Sequence, residues 1–166
     1  AAQRPNPEND LFFAEILKDT PDNVRILLVY FASELEKIEI NKQRDTAQFD
    51  KVKGKKILNY EIASEDNFIN QIKSSDIVYV GGGTTVRSMS ILSKFKDLGK
   101  EFVGKIVAGE SAGMNSMATY CFSKSGGVIK SLGLLPIKTV PHFDGILGVN
   151  ELEDIAPELE KCYLPE

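Results

Sequence analysis

Apolar residues fall into two alternating patterns along the chain: short, nearly continuous runs, and longer stretches in which they recur every three or four positions. The runs Val24-Arg-Ile-Leu-Leu-Val-Tyr-Phe-Ala32, Lys56-Ile-Leu-Asn-Tyr-Glu-Ile-Ala63, Asp76-Ile-Val-Tyr-Val80 and Phe102 to Ala108 predict four strands. Runs with so little alternation suit strands covered on both faces. The stretches between them predict helices. Asn9 or Asp10 caps a helix over Leu11 to Lys18, which Thr20-Pro-Asp-Asn23 ends. Ser33 to Lys53 is polar, with Leu35, Ile38, Ile40, Phe49 and Val52 as its apolar positions, and reads as a helix or two with an exposed side. Ser64-Glu-Asp-Asn67 is expected to cap a helix containing Phe68, Ile69 and Ile72. A further helix follows Gly81-Gly82-Gly83-Thr84-Thr85 and runs through Met89, Ile91, Leu92 and Phe95. Beyond the fourth strand the spacing predicts a helix opening at Gly113, a turn over Ser131 to Pro136, a short extended piece from Ile137 to His142, and a last helix from Asn150 to Leu159 interrupted at Pro157.

Strands alternating with helices argue for an α/β fold with a mainly parallel sheet and helices on both faces. No internal repeat, linker or low-complexity tract divides the chain, so residues 1–166 are taken as one domain. In such sheets ligands bind at the carboxyl edge of the strands. Gly81-Gly82-Gly83, Ser111 and His142 all emerge at that edge, from three separate strand ends.

Composition narrows the function classes. An apolar share of 42% and a charged share of 27% are ordinary for a globular protein, and 166 residues suffice for a substantial core. A net charge of -4, with lysines interspersed among acids, leaves no basic footprint for nucleic acid. No apolar run approaches the roughly 20 residues that span a bilayer, and the lead Ala1-Ala-Gln-Arg-Pro-Asn-Pro has no signal-peptide pattern, so no membrane partner is expected. Cys121 and Cys162 lie far apart, which suits reduced thiols and a cytoplasmic location. With one histidine and no paired cysteines, neither a metal site nor a cofactor is expected. Monomer and homodimer both remain open.

The chemistry centres on Gly109-Glu110-Ser111-Ala112-Gly113, where an apolar strand ends and a helix opens. A serine between two glycines at such a turn can stand clear of its backbone, which makes Ser111 a candidate nucleophile. The same pattern also occurs in plain glycine turns. A serine hydroxyl needs a base within hydrogen-bond reach, and His142 is the single imidazole in the chain. Donors for a developing oxyanion are expected from the Ala112 N–H and from Gly82 or Gly83. No acid lies between Ser111 and His142, which excludes the Ser, acid, His order of α/β-hydrolases. Asp144 either orients the imidazole or serves as a solvated turn aspartate. Glu110 is expected to point away from the nucleophile. Arg87 either meets a substrate carboxylate with its fork or lies on the surface.

Taken together, Val80-Gly-Gly-Gly-Thr84, Gly109-Glu-Ser-Ala-Gly-Met-Asn115, Leu132-Gly-Leu-Leu-Pro136 and Pro141-His-Phe-Asp144 resemble the motifs of peptidase family S51, which includes dipeptidase E and cyanophycinase. The resemblance runs from about Asp10 to the end. It implies a flavodoxin-like, three-layer sandwich related to class I glutamine amidotransferases, with Ser111 as nucleophile, His142 as base and hydrolysis of small or acidic peptides. Thr84 stands where the family has asparagine, so its substrate contact differs. Dipeptidase E carries its aspartate between serine and histidine, where this chain has Cys121, Ser123, Lys124 and Ser125, so a Ser, His dyad or the use of Asp144 follows. Family members also have a strand before the lead and further strand after Glu166. The chain is therefore expected to be processed or truncated, with an open slot beside Val24 to Ala32. A catalytically silent binding module, and an amidase or acyltransferase acting on a non-peptide amide, are the competing classes.

Overall fold

The computed structural model describes residues 7–143 and 149–164. Four strands, β1 (Asn23–Val29), β2 (Ile57–Ile62), β3 (Ile77–Val80) and β4 (Ile106–Gly109), form a parallel sheet in the order β2-β1-β3-β4. Alternate side chains of the central strands feed two cores, as the two-residue period of a strand requires. Val24, Ile26, Leu28 and Tyr30 pack with Ile77 and Tyr79 beneath Phe13, Ile16 and Phe49, from the helices α1 (Pro7–Leu17) and α2 (Ile38–Val52). Leu27, Val29, Val78 and Val80 face the other way, against Phe68 and Ile72 of α3 (Phe68–Ser74), Leu92 of α4 (Thr85–Leu92) and Leu98 of α5 (Leu98–Glu101). This is the three-layer α/β sandwich, consistent with a flavodoxin-like fold.

A second sheet carries the C-terminal part. After α6 (Ala112–Met117), the strands β5 (Tyr120–Ser123), β6 (Gly127–Lys130), β7 (Ile137–Pro141) and β8 (Glu160–Leu164) assemble in the order β6-β5-β7-β8. β5 and β6 are antiparallel, while β5–β7 and β7–β8 are parallel. α7 (Val149–Glu153) sets Leu152 in a small core with Phe122 and Val140. Leu132 to Leu135 closes on α6: the amides of Leu132, Gly133 and Leu135 donate to the carbonyls of Ser116, Ala118 and Met117. Those are carbonyls at the helix end that would otherwise lack partners.

Several expectations are corrected. β1 stops at Val29, because Tyr30 to Ala32 leaves the sheet and the Ala32 carbonyl instead accepts the Thr84 N–H at 2.9 Å. The fourth strand begins at Ile106, and Phe102 ends the short α5 and packs into the second core. Ser64 offers no side-chain cap; its N–H donates to Gln71 Oε1 at 2.9 Å above a 3-10 turn, Glu65–Asn67. The β5–β6 hairpin and β8 were not anticipated, and α7 ends before the positive φ of Ala156. β1 is paired on both sides, by β2 and β3, so the slot beside it is filled.

Candidate active site

Ser111 sits between β4 and α6 with φ 47° and ψ -110°. A side chain in this region of backbone space costs of order 1–3 kcal/mol and persists only where its surroundings over-determine it. Here they do. A Cβ at Gly113 would lie 2.0 Å from the Val80 carbonyl oxygen, and one at Gly109 only 2.9 Å from the Gly113 carbonyl carbon. The helix can therefore approach β3 only through glycine, and the compressed turn pushes the serine outward. His142 follows β7 directly and is exposed, also at positive φ (54°). The two side chains meet: Ser111 Oγ and His142 Nε2 are 2.9 Å apart.

The glycine loop forms the adjacent wall. Gly83 has φ 143°, and a Cβ there would stand 2.3 Å from the Ala32 carbonyl oxygen. Gly82 donates its N–H to Glu110 Oε1 at 3.3 Å, so this amide is engaged by a carboxylate. Ala112 is the first residue of α6, where an amide has no intrahelical acceptor. Thr84 lines the site on both sides of Ser111 and donates no side-chain cap to α4. Arg87 spends its Nη1 on the Ser33 carbonyl at 2.8 Å, which anchors the loop before α2. Asp144 lies outside the described residues.

Glu110 departs from expectation. Its carboxylate does not turn away but lines the cleft beside Ser111, where it pairs with Arg44 Nη2. Arg44 Nε also binds Asp45 Oδ1 at 2.7 Å, and the Tyr30 hydroxyl donates to Asp45 Oδ2 at 2.9 Å. Burial pushes the Asp45 carboxyl up, against the opposing pull of Arg44. Desolvation works against the Arg44 charge, but the Asp45 bond and the Glu110 charge prevail and raise its pKa. Burial, then the Asp45 charge, raises the Tyr30 phenol. Sequence reasoning missed this brace. Its signal was Asp45 standing in the helical stripe of Ile38, Phe49 and Val52, an acid at a core-facing position.

Two clefts meet at the Ser111–His142 contact. One, of about 200 Å³, is lined by Phe122 and Val140 with Thr84, Thr85, Asn115 and Lys124. The other, of about 330 Å³, is lined by Glu34, Lys37, Arg44 and Glu110. Among the described residues no group of three or more His, Cys, Asp or Glu side chains is arranged to hold a metal, and no helix is long and apolar enough to cross a membrane. A hydroxyl and an imidazole in contact, at the junction of two clefts, can carry out nucleophilic acyl chemistry.

The family model described as peptidase family S51 matches residues 3–161. Among solved structures, a candidate peptidase E protein from Listeria monocytogenes EGD-e aligns with a TM-score of 0.63 at 18% identity, over 94% of this chain and 85% of that one. A peptidase from an acI-B1 actinobacterium aligns with a TM-score of 0.71 at 18% identity, over 96% of this chain and 75% of that one. At such identity the structural likeness speaks to the fold. The comparison with curated proteins finds no match.

Proposed function

Because this chain belongs to peptidase family S51, and is a serine peptidase by that membership, we propose that it cleaves small peptides with Ser111 as nucleophile and His142 as general base. The observation that carries the reading is the 2.9 Å Ser111–His142 contact, with the serine held at positive φ in a glycine-packed turn, which supports reading that turn as a nucleophile elbow. His142 Nε2 takes the Ser111 proton as Oγ attacks the peptide carbonyl carbon. The amides of Ala112 and Gly83 are the donors for the oxyanion, with Gly82 committed to Glu110. His142 then returns the proton to the departing amine, leaving an acyl-serine. Water, deprotonated by the same imidazole, releases the acid and restores the serine.

Clefts of about 200 and 330 Å³ lie at or below the lower end of ligand pockets, about 300–1,000 Å³, which favours short substrates. A preference for acidic residues would draw on Lys124, which lines one cleft, and on Lys37, which lines the other in an ion pair with Glu34 at 2.6 Å. Cys121 and Cys162 are free thiols, which supports a cytoplasmic location. The test is hydrolysis of a dipeptide panel, with acidic and neutral first residues, by the wild type, Ser111→Ala and His142→Ala. Both substitutions should abolish turnover of whichever peptides are cleaved. Unchanged turnover in either would refute the assignment.

A further inference from the structure

Asn115 lies four residues beyond Ser111 in α6 and is 1% exposed, and its carboxamide is hydrogen-bonded through both its nitrogen and its oxygen. Its Nδ2 donates to Thr85 Oγ1 at 3.0 Å, and its Oδ1 accepts from Thr139 Oγ1 at 2.8 Å. Its own backbone N–H donates to the Ser111 carbonyl at 3.0 Å. Thr85 opens α4 directly after Gly83 and Thr84, and Thr139 lies on β7 three residues before His142. Both threonines are buried. One residue of the nucleophile's own helix therefore ties, through its side chain, the segment after the glycine loop and the strand that carries the base.

We infer that Asn115 is a positioning residue for the reaction, fixing the register between these three segments and so the Ser111–His142 distance. The inference rests on the Ser111–His142 reading above. The carboxamide suits the position, because it donates toward Thr85 and accepts from Thr139 at the same time. The need for such a tie follows from the topology. The base rides on β7, which pairs with β5 only at Lys138 and Thr139, while the nucleophile belongs to the turn after β4, in the other sheet. The Asn115–Thr139 bond joins the helix of one to the strand of the other. A misplacement of 1 Å between reacting groups can cost on the order of 100-fold in rate.

The test compares Thr139→Val, which keeps the shape and removes the hydroxyl, with Thr139→Ser, which keeps the hydroxyl and removes the methyl. The readouts are the rate of Ser111 phosphonylation by a fluorophosphonate, kcat and KM on a cleaved dipeptide, and thermal unfolding. A positioning role predicts a fall of roughly 10- to 100-fold in phosphonylation rate and kcat for Thr139→Val, a KM within about threefold, and a near-wild-type rate for Thr139→Ser. A packing role predicts the reverse order and would overturn the inference, as would equal losses in both. Thr85→Val, which removes the other partner, reads the same property if Thr139→Val does not fold. Ser111→Ala separates the two levels: persisting turnover there sinks the parent reading, whereas its loss together with an active Thr139→Val sinks only the role of Asn115.

Discussion

Glu110 and Arg44 are joined by an ion pair across 66 positions of sequence, and through it the residue next to the nucleophile is tied to α2. The guanidinium also serves Asp45, which is 1% exposed, so one cation holds two carboxylates, one of them buried. Removing one partner of a buried pair typically costs about 3–5 kcal/mol, because the other charge is left without compensation. The Arg44 side chain is 33% exposed, so the cost is discounted for solvent screening. Arg44→Met is expected to destabilise the fold by about 2 kcal/mol in urea titration. Lys18→Met, which breaks an exposed pair with Glu15, should change stability by less than about 0.5 kcal/mol.

The glycine at the start of α6 gives the strictest steric prediction. Gly113→Ala places a methyl 2.0 Å from a backbone oxygen of the central sheet, which no rotamer can relieve. Either α6 moves off β3 or the variant fails to fold. Circular dichroism should show a lowered melting temperature, and Ser111 phosphonylation should be lost even in protein that remains folded. Gly104→Ala is the control: unlike Gly113 it has a positive φ (77°), but a Cβ there has nothing within 4 Å, so the cost should stay near that of backbone strain alone.

Much of the fold was legible because the central strands are apolar on both faces. Ile26, Leu28, Ile77 and Tyr79 serve one core and Leu27, Val29, Val78 and Val80 the other, and that division is written in continuous runs. The second sheet was far less legible. β5 and β6 are short, half-buried strands in a stretch of Thr, Ser, Lys and Gly, and β8 begins only after the segment from Asn150 to Leu159 whose apolar spacing suggested helix. Ser111 and His142 were legible as residue types at strand ends. Arg44, Asp45 and Asn115 were not, because their importance arises from partners 66, 15 and 24 positions away.

Asp76 yields a pH dependence of stability. Burial favours its neutral form, but the Arg25 amide, at 2.8 Å, and the Arg25 guanidinium outweigh it and hold the carboxyl below its ordinary value. A carboxylate with a depressed folded pKa adds stability that is complete above its unfolded value, near about 4, and vanishes as pH falls through the folded value. The stability gap between wild type and Asp76→Asn should therefore be constant from pH 7 to 5 and shrink in more acid solution. A gap that widens on acidification would contradict the assignment. The measurement is the urea midpoint as a function of pH.

Asp144 stands two residues beyond the base in sequence. If it orients the imidazole, Asp144→Asn should lower kcat by about 100-fold or more while leaving KM within a few-fold. A wild-type kcat would assign it to the turn and leave Ser111 and His142 to act as a dyad.

The central claim is that His142 activates Ser111 across a 2.9 Å contact. Intact-protein mass spectrometry after brief exposure to a fluorophosphonate, followed by peptide mapping, tests it most directly. The account predicts a single adduct on Ser111 in native wild type, none in heat-denatured protein, and a rate at least about 100-fold slower in His142→Ala. An adduct elsewhere, or an undiminished rate in His142→Ala, would contradict it.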